Sequence, residues 1–201
     1  MKIKSAAFAL SAPDLPSCPK SALPEFAFIG RSNVGKSSLI NLLAERRDLA
    51  KVSDLPGKTK LINFFTMNNT WSLVDLPGYG YANVSKRESV AFNKAVCDYL
   101  EMRRNVYRVF ALIDSRLPPQ RVDLEFVQWL GEVATPFVLV FTKTDKQSAA
   151  QTQANIELFK KEMNAWTSEM PQVFTCSAKT KQGRTEILNH IEQIIKKNSR
   201  E

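Results

Sequence analysis

Four short groups of residues in this chain could do chemistry on a nucleotide, and they occur in a telling order. Gly30-Arg31-Ser32-Asn33-Val34-Gly35-Lys36-Ser37 has the G-x-x-x-x-G-K-S spacing of a phosphate-cradling loop. Backbone N–H groups of such a loop converge on phosphate oxygens, Lys36 supplies a point charge to the β- and γ-phosphates, and the Ser37 hydroxyl can ligate a bridging Mg²⁺. Asp75-Leu76-Pro77-Gly78 places a carboxylate where it can act on the same metal and a glycine N–H where it can meet the third phosphate. Thr142-Lys143-Thr144-Asp145 is a T-K-x-D element. The Asp145 carboxylate accepts from the N1–H and N2–H of guanine, a donor pair that adenine lacks, while the Lys143 stem packs over the base. Cys176-Ser177-Ala178-Lys179 completes the set, with the Ala178 N–H directed at guanine O6.

Each group must be held at the end of a rigid element, and the hydrophobic pattern supplies one in every case. Apolar runs at Phe26–Ile29, Trp71–Val74, Phe137–Phe141 and Val173–Cys176 each precede one of the four groups, and an amphipathic helix starts at Lys36. The full pattern alternates strands (Glu25–Ile29, Leu61–Met67, Thr70–Val74, Tyr107–Asp114, Phe137–Phe141, Gln172–Cys176) with helices near Lys36–Glu45, Ser85–Arg104, Arg121–Glu132, Gln151–Trp166 and Arg184–Lys197. That alternation predicts an α/β fold, a doubly wound, six-stranded, mostly parallel sheet of the P-loop GTPase type. Asn68-Asn69 between two strand-like runs signals a two-residue hairpin, hence one antiparallel edge strand. Residues 1–23, rich in proline, are expected to form a surface arm, residues 24–197 the nucleotide-binding domain, and residues 198–201 a short tail.

The motifs together with Pro56-Gly57-Lys58-Thr59-Lys60-Leu61-Ile62-Asn63-Phe64-Phe65 and Asp75-Leu-Pro-Gly-Tyr-Gly-Tyr81 resemble the EngB (YsxC/YihA) family of bacterial ribosome-biogenesis GTPases over about residues 20 to 197. The resemblance implies GTP/GDP and Mg²⁺ as ligands and GTP hydrolysis as the reaction. It also implies association with the large ribosomal subunit or its precursors during assembly, and a link to cell division and septation. The family's switch threonine corresponds to Thr59, which with Ser37 and Asp75 makes up the metal set. Gly57, Lys58, Lys60 and Leu61 flank it, although Lys60 stands where the family often has glutamine. Lys36, Thr59, Gly78 and Asn33 are the residues expected to act in hydrolysis. Asn33 occupies the position at which similar potassium-activated GTPases carry an asparagine beside the phosphates, so K⁺ is a further candidate ligand. Tyr79 takes the place where Ras-type enzymes position water with a glutamine, which points to slow intrinsic turnover.

The 201 residues, 44% hydrophobic, are enough for one sizeable core, and no linker or internal repeat divides them. The cysteines Cys18, Cys97 and Cys176 lack the spacing of a zinc site or a disulfide frame, so free thiols and a cytoplasmic setting are expected. Pro13-Asp14 interrupts the short apolar stretch that follows Lys2 and Lys4, which argues against a lipoprotein signal, and neither a membrane span nor a lipid anchor is expected. A monomer is anticipated.

The formal net charge of +8 is unevenly spread. Residues 1–60 hold ten Lys/Arg against five Asp/Glu, and residues 86–108 and 179–201 each hold six against three. The excess surrounds Arg46, Arg47, Lys51, Lys58 and Lys60, the helix after Gly78, and the tail, a distribution suited to ribosomal RNA phosphates. A competing reading has the chain regulate division at the septum through protein contacts, the basic surface being incidental. His190 and the three tryptophans read as packing residues, whereas Tyr79 and Tyr81 could be presented to a partner.

Overall fold

The computed structural model describes residues 1–50, 61–80 and 94–199. The fold class is as the alternation predicts, a mixed α/β sheet flanked by helices, but the sheet has seven strands in place of six. In chain order the elements are β1 (Ala6–Ala12), β2 (Glu25–Gly30), α1 (Lys36–Ala44), β3 (Ile62–Met67), β4 (Trp71–Asp75), α2 (Lys94–Met102), β5 (Val106–Asp114), α3 (Arg121–Glu132), β6 (Phe137–Thr142), α4 (Ala149–Met163), β7 (Val173–Thr175) and α5 (Arg184–Asn198). The spatial order is β1-β3-β4-β2-β5-β6-β7, with β1, β3 and β4 joined antiparallel and β4 through β7 parallel.

The central strands are buried on both faces, and this explains their near-continuous apolar sequences. Alternate residues of β2 serve opposite cores. Phe26 and Phe28 point to the face covered by α1 and α5, with Leu39, Leu43, Leu112, Val140 and Ile187. Ala27 and Ile29 point to the face covered by α2, α3 and α4, with Val109, Phe126, Leu139 and Phe159. Phe28 stacks on Phe110 with centroids 4.6 Å apart, and Phe26 meets the buried Trp71 edge-on at 5.5 Å.

Two expectations are corrected here. Part of the arm expected over residues 1–23 is an edge strand, and the antiparallel β3 is therefore an inner strand. β1 pairs with β3 from Ala6↔Met67 to Ala12↔Ile62, with an irregularity between Phe8 and Leu10. Both of its flanks are fastened. Asn68, in the hairpin that the Asn-Asn pair forms with left-handed φ values of 51° and 56°, accepts from Lys4 N and Ser5 N at 2.6 and 3.1 Å and donates to Lys2 O at 2.8 Å. Farther along, Arg103 donates to Pro19 O at 2.8 Å while its guanidinium pairs with buried Glu25, which also accepts from Tyr99 OH at 2.7 Å. The physical reason for a seventh strand is the row of backbone groups along the outer side of β3, which β1 satisfies.

Of the helix expected over Ser85–Arg104, residues 94–102 are observed as α2, and the preceding part lies outside the described residues, as does Tyr81. Among the described residues no helix is long and apolar enough to cross a membrane. Cys18, Cys97 and Cys176 are free.

Candidate nucleotide-binding site

The carboxyl ends of the parallel strands bring three of the four motif groups, and the turn after β7, to one edge of the sheet. Residues 30–35 leave β2 and turn directly into α1, with Val34 N donating to Arg31 O at 3.2 Å. The loop is fastened from the neighbouring motif. Thr142 Oγ1 donates to Val34 O at 2.6 Å, and Lys143 Nζ donates to Asn33 O and to Asp114 Oδ2 at 2.9 Å. Thr142 and Lys143 therefore brace the phosphate loop as well as belonging to the guanine-reading element. Asn33 itself adopts a left-handed φ of 61°, which its short polar side chain tolerates, and that side chain is exposed.

Lys36 Nζ pairs with Asp75 Oδ1, both side chains being largely buried. The two charges compensate each other at the point where phosphate and metal would enter. Ser37 follows in the first turn of α1. Leu76 and Pro77 are buried, and Leu76 N donates to Phe28 O at 3.0 Å. Gly78 is exposed and lies so close to the phosphate loop that a Cβ there would stand 2.8 Å from Gly30 O. Among the described residues no group of three His, Cys, Asp or Glu side chains could hold a metal by itself. A Mg²⁺ held by one hydroxyl, one carboxylate and phosphate oxygens suits that donor set.

The guanine end is knitted from two loops. Cys176 N donates to Phe141 O at 2.8 Å, while Thr144 N and Thr144 Oγ1 both donate to Cys176 O, at 3.3 and 3.2 Å. Ser177 Oγ donates to Asp145 Oδ1 at 2.7 Å, and this hydrogen bond holds the Asp145 carboxyl below the ordinary carboxylate range. Among the described residues Asp145 Oδ2 is covered and has no hydrogen-bond donor, the Lys146 ammonium standing 3.8 Å away, the state expected of an acceptor built for a ligand's N–H. Cys176 contributes backbone only, since burial pushes its thiol up to about 12. Ala178 and Lys179 are exposed beside it.

Not every expected residue reaches the site. Arg31 turns its guanidinium away to Asp123 of α3, with Nε 3.0 and 3.1 Å from the two carboxylate oxygens. Tyr79 is 6% exposed, which corrects its reading as a residue presented to partners, and its hydroxyl donates to Asp123 Oδ1 at 3.0 Å. Leu61 is partly exposed ahead of β3. Gly57, Lys58, Thr59 and Lys60 lie outside the described residues.

Sequence reasoning missed Asp114, although it closes β5 in the same way that Asp75 closes β4. Desolvation would raise its carboxyl, but hydrogen bonds from Arg116 and Lys143 outweigh that and hold it at about 2, against 3.8 for a free side chain. A carboxyl depressed in the folded state contributes stability that is complete above the unfolded value and lost as pH falls from near 4 through about 2. Allowing for solvent screening at the exposed Arg116 end, about 1–2 kcal/mol is at stake. Asp114→Asn should therefore flatten the acid limb of a urea-denaturation series between those pH values, and an unchanged limb would remove this role.

The comparisons agree with the geometry. Residues 25–143 match a family model described as "50S ribosome-binding GTPase". The chain is 54% identical to a probable GTP-binding protein EngB of Christiangramia forsetii over 194 residues, covering 96% of this chain and 98% of that protein. It is 48% identical to the probable GTP-binding protein EngB of Bacteroides fragilis over 196 residues, 98% of each chain. Among solved structures, a probable GTP-binding protein engB superposes with a TM-score of 0.66 at 23% identity, covering 86% of this chain and 99% of that one. The translation elongation factor SelB of Methanococcus maripaludis bound to a GTP analogue gives 0.62 at 16% identity, covering 87% of this chain and 34% of that one. At those identities the two structural matches bear on the fold.

Proposed function

The chain belongs to the EngB family of GTP-binding proteins and is a GTPase, and from that premise we propose that it is a Mg²⁺-dependent switch whose GTP form docks on precursors of the large ribosomal subunit. The observation that carries this reading is the attachment of a basic segment to the nucleotide site. Asn41, on the helix that begins in the phosphate loop, donates to Arg47 O and Ala50 O at 3.0 and 2.9 Å and accepts from Ala50 N at 2.8 Å. The exposed Arg46 and Arg47 side chains are thereby carried at the entrance to the switch segment that holds Thr59. Exposed guanidinium groups at that place suit phosphate-backbone contacts of ribosomal RNA, with the nucleotide state deciding their presentation.

In hydrolysis, Lys36 and the loop N–H groups stabilise charge on the β- and γ-phosphate oxygens, and Gly78 N–H faces the third phosphate. Ser37, Thr59 and the Asp75 carboxylate would hold Mg²⁺, which would supply countercharge to those same oxygens. Tyr79, buried against Phe126 at 4.4 Å, leaves no side chain at its position to orient water, so isolated turnover is slow. Asn33 carries the proposed K⁺ contact. Single-turnover hydrolysis is expected to be faster in K⁺ than in Na⁺ at equal ionic strength, with the difference lost in Asn33→Ala; identical rates in the two salts would reject that contact.

Co-sedimentation with large-subunit precursors tests the ribosomal reading. Binding should require GTP, fall steeply with added salt, and weaken in Arg46→Glu/Arg47→Glu while GDP affinity is kept. Equal binding of the GDP and GTP forms would overturn it, and exclusive recovery with division proteins would favour the septation role.

A further inference from the structure

The polypeptide that leaves β4 does not become free at Gly78. Arg31 and Tyr79 form a parallel bridge, prolonging the β2–β4 ladder past the ends of both strands. The Tyr79 ring stacks on Phe126 at 4.4 Å and 26°, and its hydroxyl ends on Asp123 Oδ1. Asp123 is 0% exposed, and the same carboxylate receives Arg31 Nε on both oxygens. A buried carboxylate is costly, and an apolar side chain at this place in α3 would serve packing at least as well. What distinguishes Asp123 is the identity of its partners: Arg31 adjoins Gly30, Tyr79 adjoins Gly78, and a Cβ on Gly78 would stand 2.8 Å from Gly30 O.

We propose that Asp123 and Tyr79 are positioning residues that set Gly78 N–H against the phosphate loop and so give the site its preference for GTP over GDP. The inference rests on the reading of Gly78 as the group that meets the third phosphate. GDP does not use that N–H, so loosening the clamp affects the triphosphate selectively. Arg31, named in the sequence as a nucleotide-loop residue, then works from behind the loop, its charge directed into α3.

Tyr79→Phe keeps the ring on Phe126 and removes the hydroxyl. Hydrogen exchange at the Leu76, Gly78 and Tyr79 amides of the nucleotide-free protein is expected to accelerate. Affinity for a non-hydrolysable GTP analogue is expected to fall about tenfold, the scale of a hydrogen bond to a charged group, with GDP affinity changed less than about twofold. Asp123→Asn, which keeps an acceptor for the phenol but removes the carboxylate charge that faces Arg31, should shift the ratio in the same direction. Equal weakening of both nucleotides would make the clamp merely structural and overturn the proposal, as would unchanged exchange and an unchanged ratio. Gly78→Ala separates the two levels. If it leaves the GTP-to-GDP ratio intact, the sensing role of Gly78 fails and the inference falls with it; if it alters the ratio and Tyr79→Phe does not, only the clamp fails.

Discussion

Asp145→Asn should lose most of its affinity for guanine nucleotides and acquire affinity for xanthine nucleotides. The carboxylate is prepared as an acceptor pair, with Oδ1 oriented by Ser177 Oγ at 2.7 Å and Oδ2 lacking a donor of its own. Guanine N1–H and N2–H would bond to these oxygens. An amide in the same place keeps one acceptor and puts an N–H₂ against the guanine amine, whereas the O2 of xanthine accepts from that N–H₂. Each charged hydrogen bond lost costs about 1.5–3 kcal/mol, so a fall of ten- to more than a hundredfold for GDP is expected, with a reciprocal gain for XDP. Competition of GDP, XDP and ADP against a fluorescent guanine nucleotide measures it. Wild-type GDP affinity in the variant would remove Asp145 from base recognition.

Gly183→Ala should be among the most destabilising single substitutions in the chain, although the residue belongs to none of the four motif groups. Its backbone is left-handed, with φ at 80°, and a Cβ would lie 2.1 Å from Thr175 O and 2.9 Å from Cys176 Cβ. Left-handed strain of about 1–2 kcal/mol adds to overpacking of about 1–3 kcal/mol. The sum, near 3 kcal/mol, corresponds to roughly a 10 °C fall in melting temperature for a domain of this size. The damage would spread to base recognition, because Gln182 O, next in the chain, accepts from Ser177 N at 3.2 Å. Thermal unfolding with and without GDP tests both parts. A melting temperature within 2 °C of wild type would show that the neighbouring carbonyl can give way at little cost.

The portions of the molecule that were legible in its sequence are those in which one stretch carries both pattern and chemistry. β2, β4 and β6 are apolar runs that end in Gly30, Asp75 and Thr142, so hydrophobic continuity and motif identify the same boundary. The Asn68-Asn69 hairpin was readable because left-handed backbone favours asparagine. β1 was not readable. Ala7, Phe8 and Ala9 are exposed, and with an irregularity between Phe8 and Leu10 the strand shows no alternation of buried and solvent-facing side chains. Its place follows from backbone pairing with β3, which composition does not encode. Tyr79 was misread for a related reason. Its burial depends on Asp123 and Phe126, more than forty positions away on the amphipathic helix α3. Local sequence around a motif describes what the backbone presents; contacts between distant elements decide where the side chains go.

The antiparallel seating of β1 has a consequence for how the chain is made. Its partner residues run from Ile62 to Met67, so Ala6 must wait for a residue 61 positions later before the two can pair. At synthesis rates of about 5–20 residues per second, that interval is roughly 3–12 s. For that time an uncharged segment, Ala-Ala-Phe-Ala-Leu-Ser-Ala, stands on the nascent chain with its backbone groups unpaired. The wait ends once Met67 is made, before the partners of β2 in β4 and β5 are complete, so β1 and β3 can form the earliest ladder of the sheet, and slowing translation before residue 67 should lengthen the exposure of β1 to proteases and to holding chaperones.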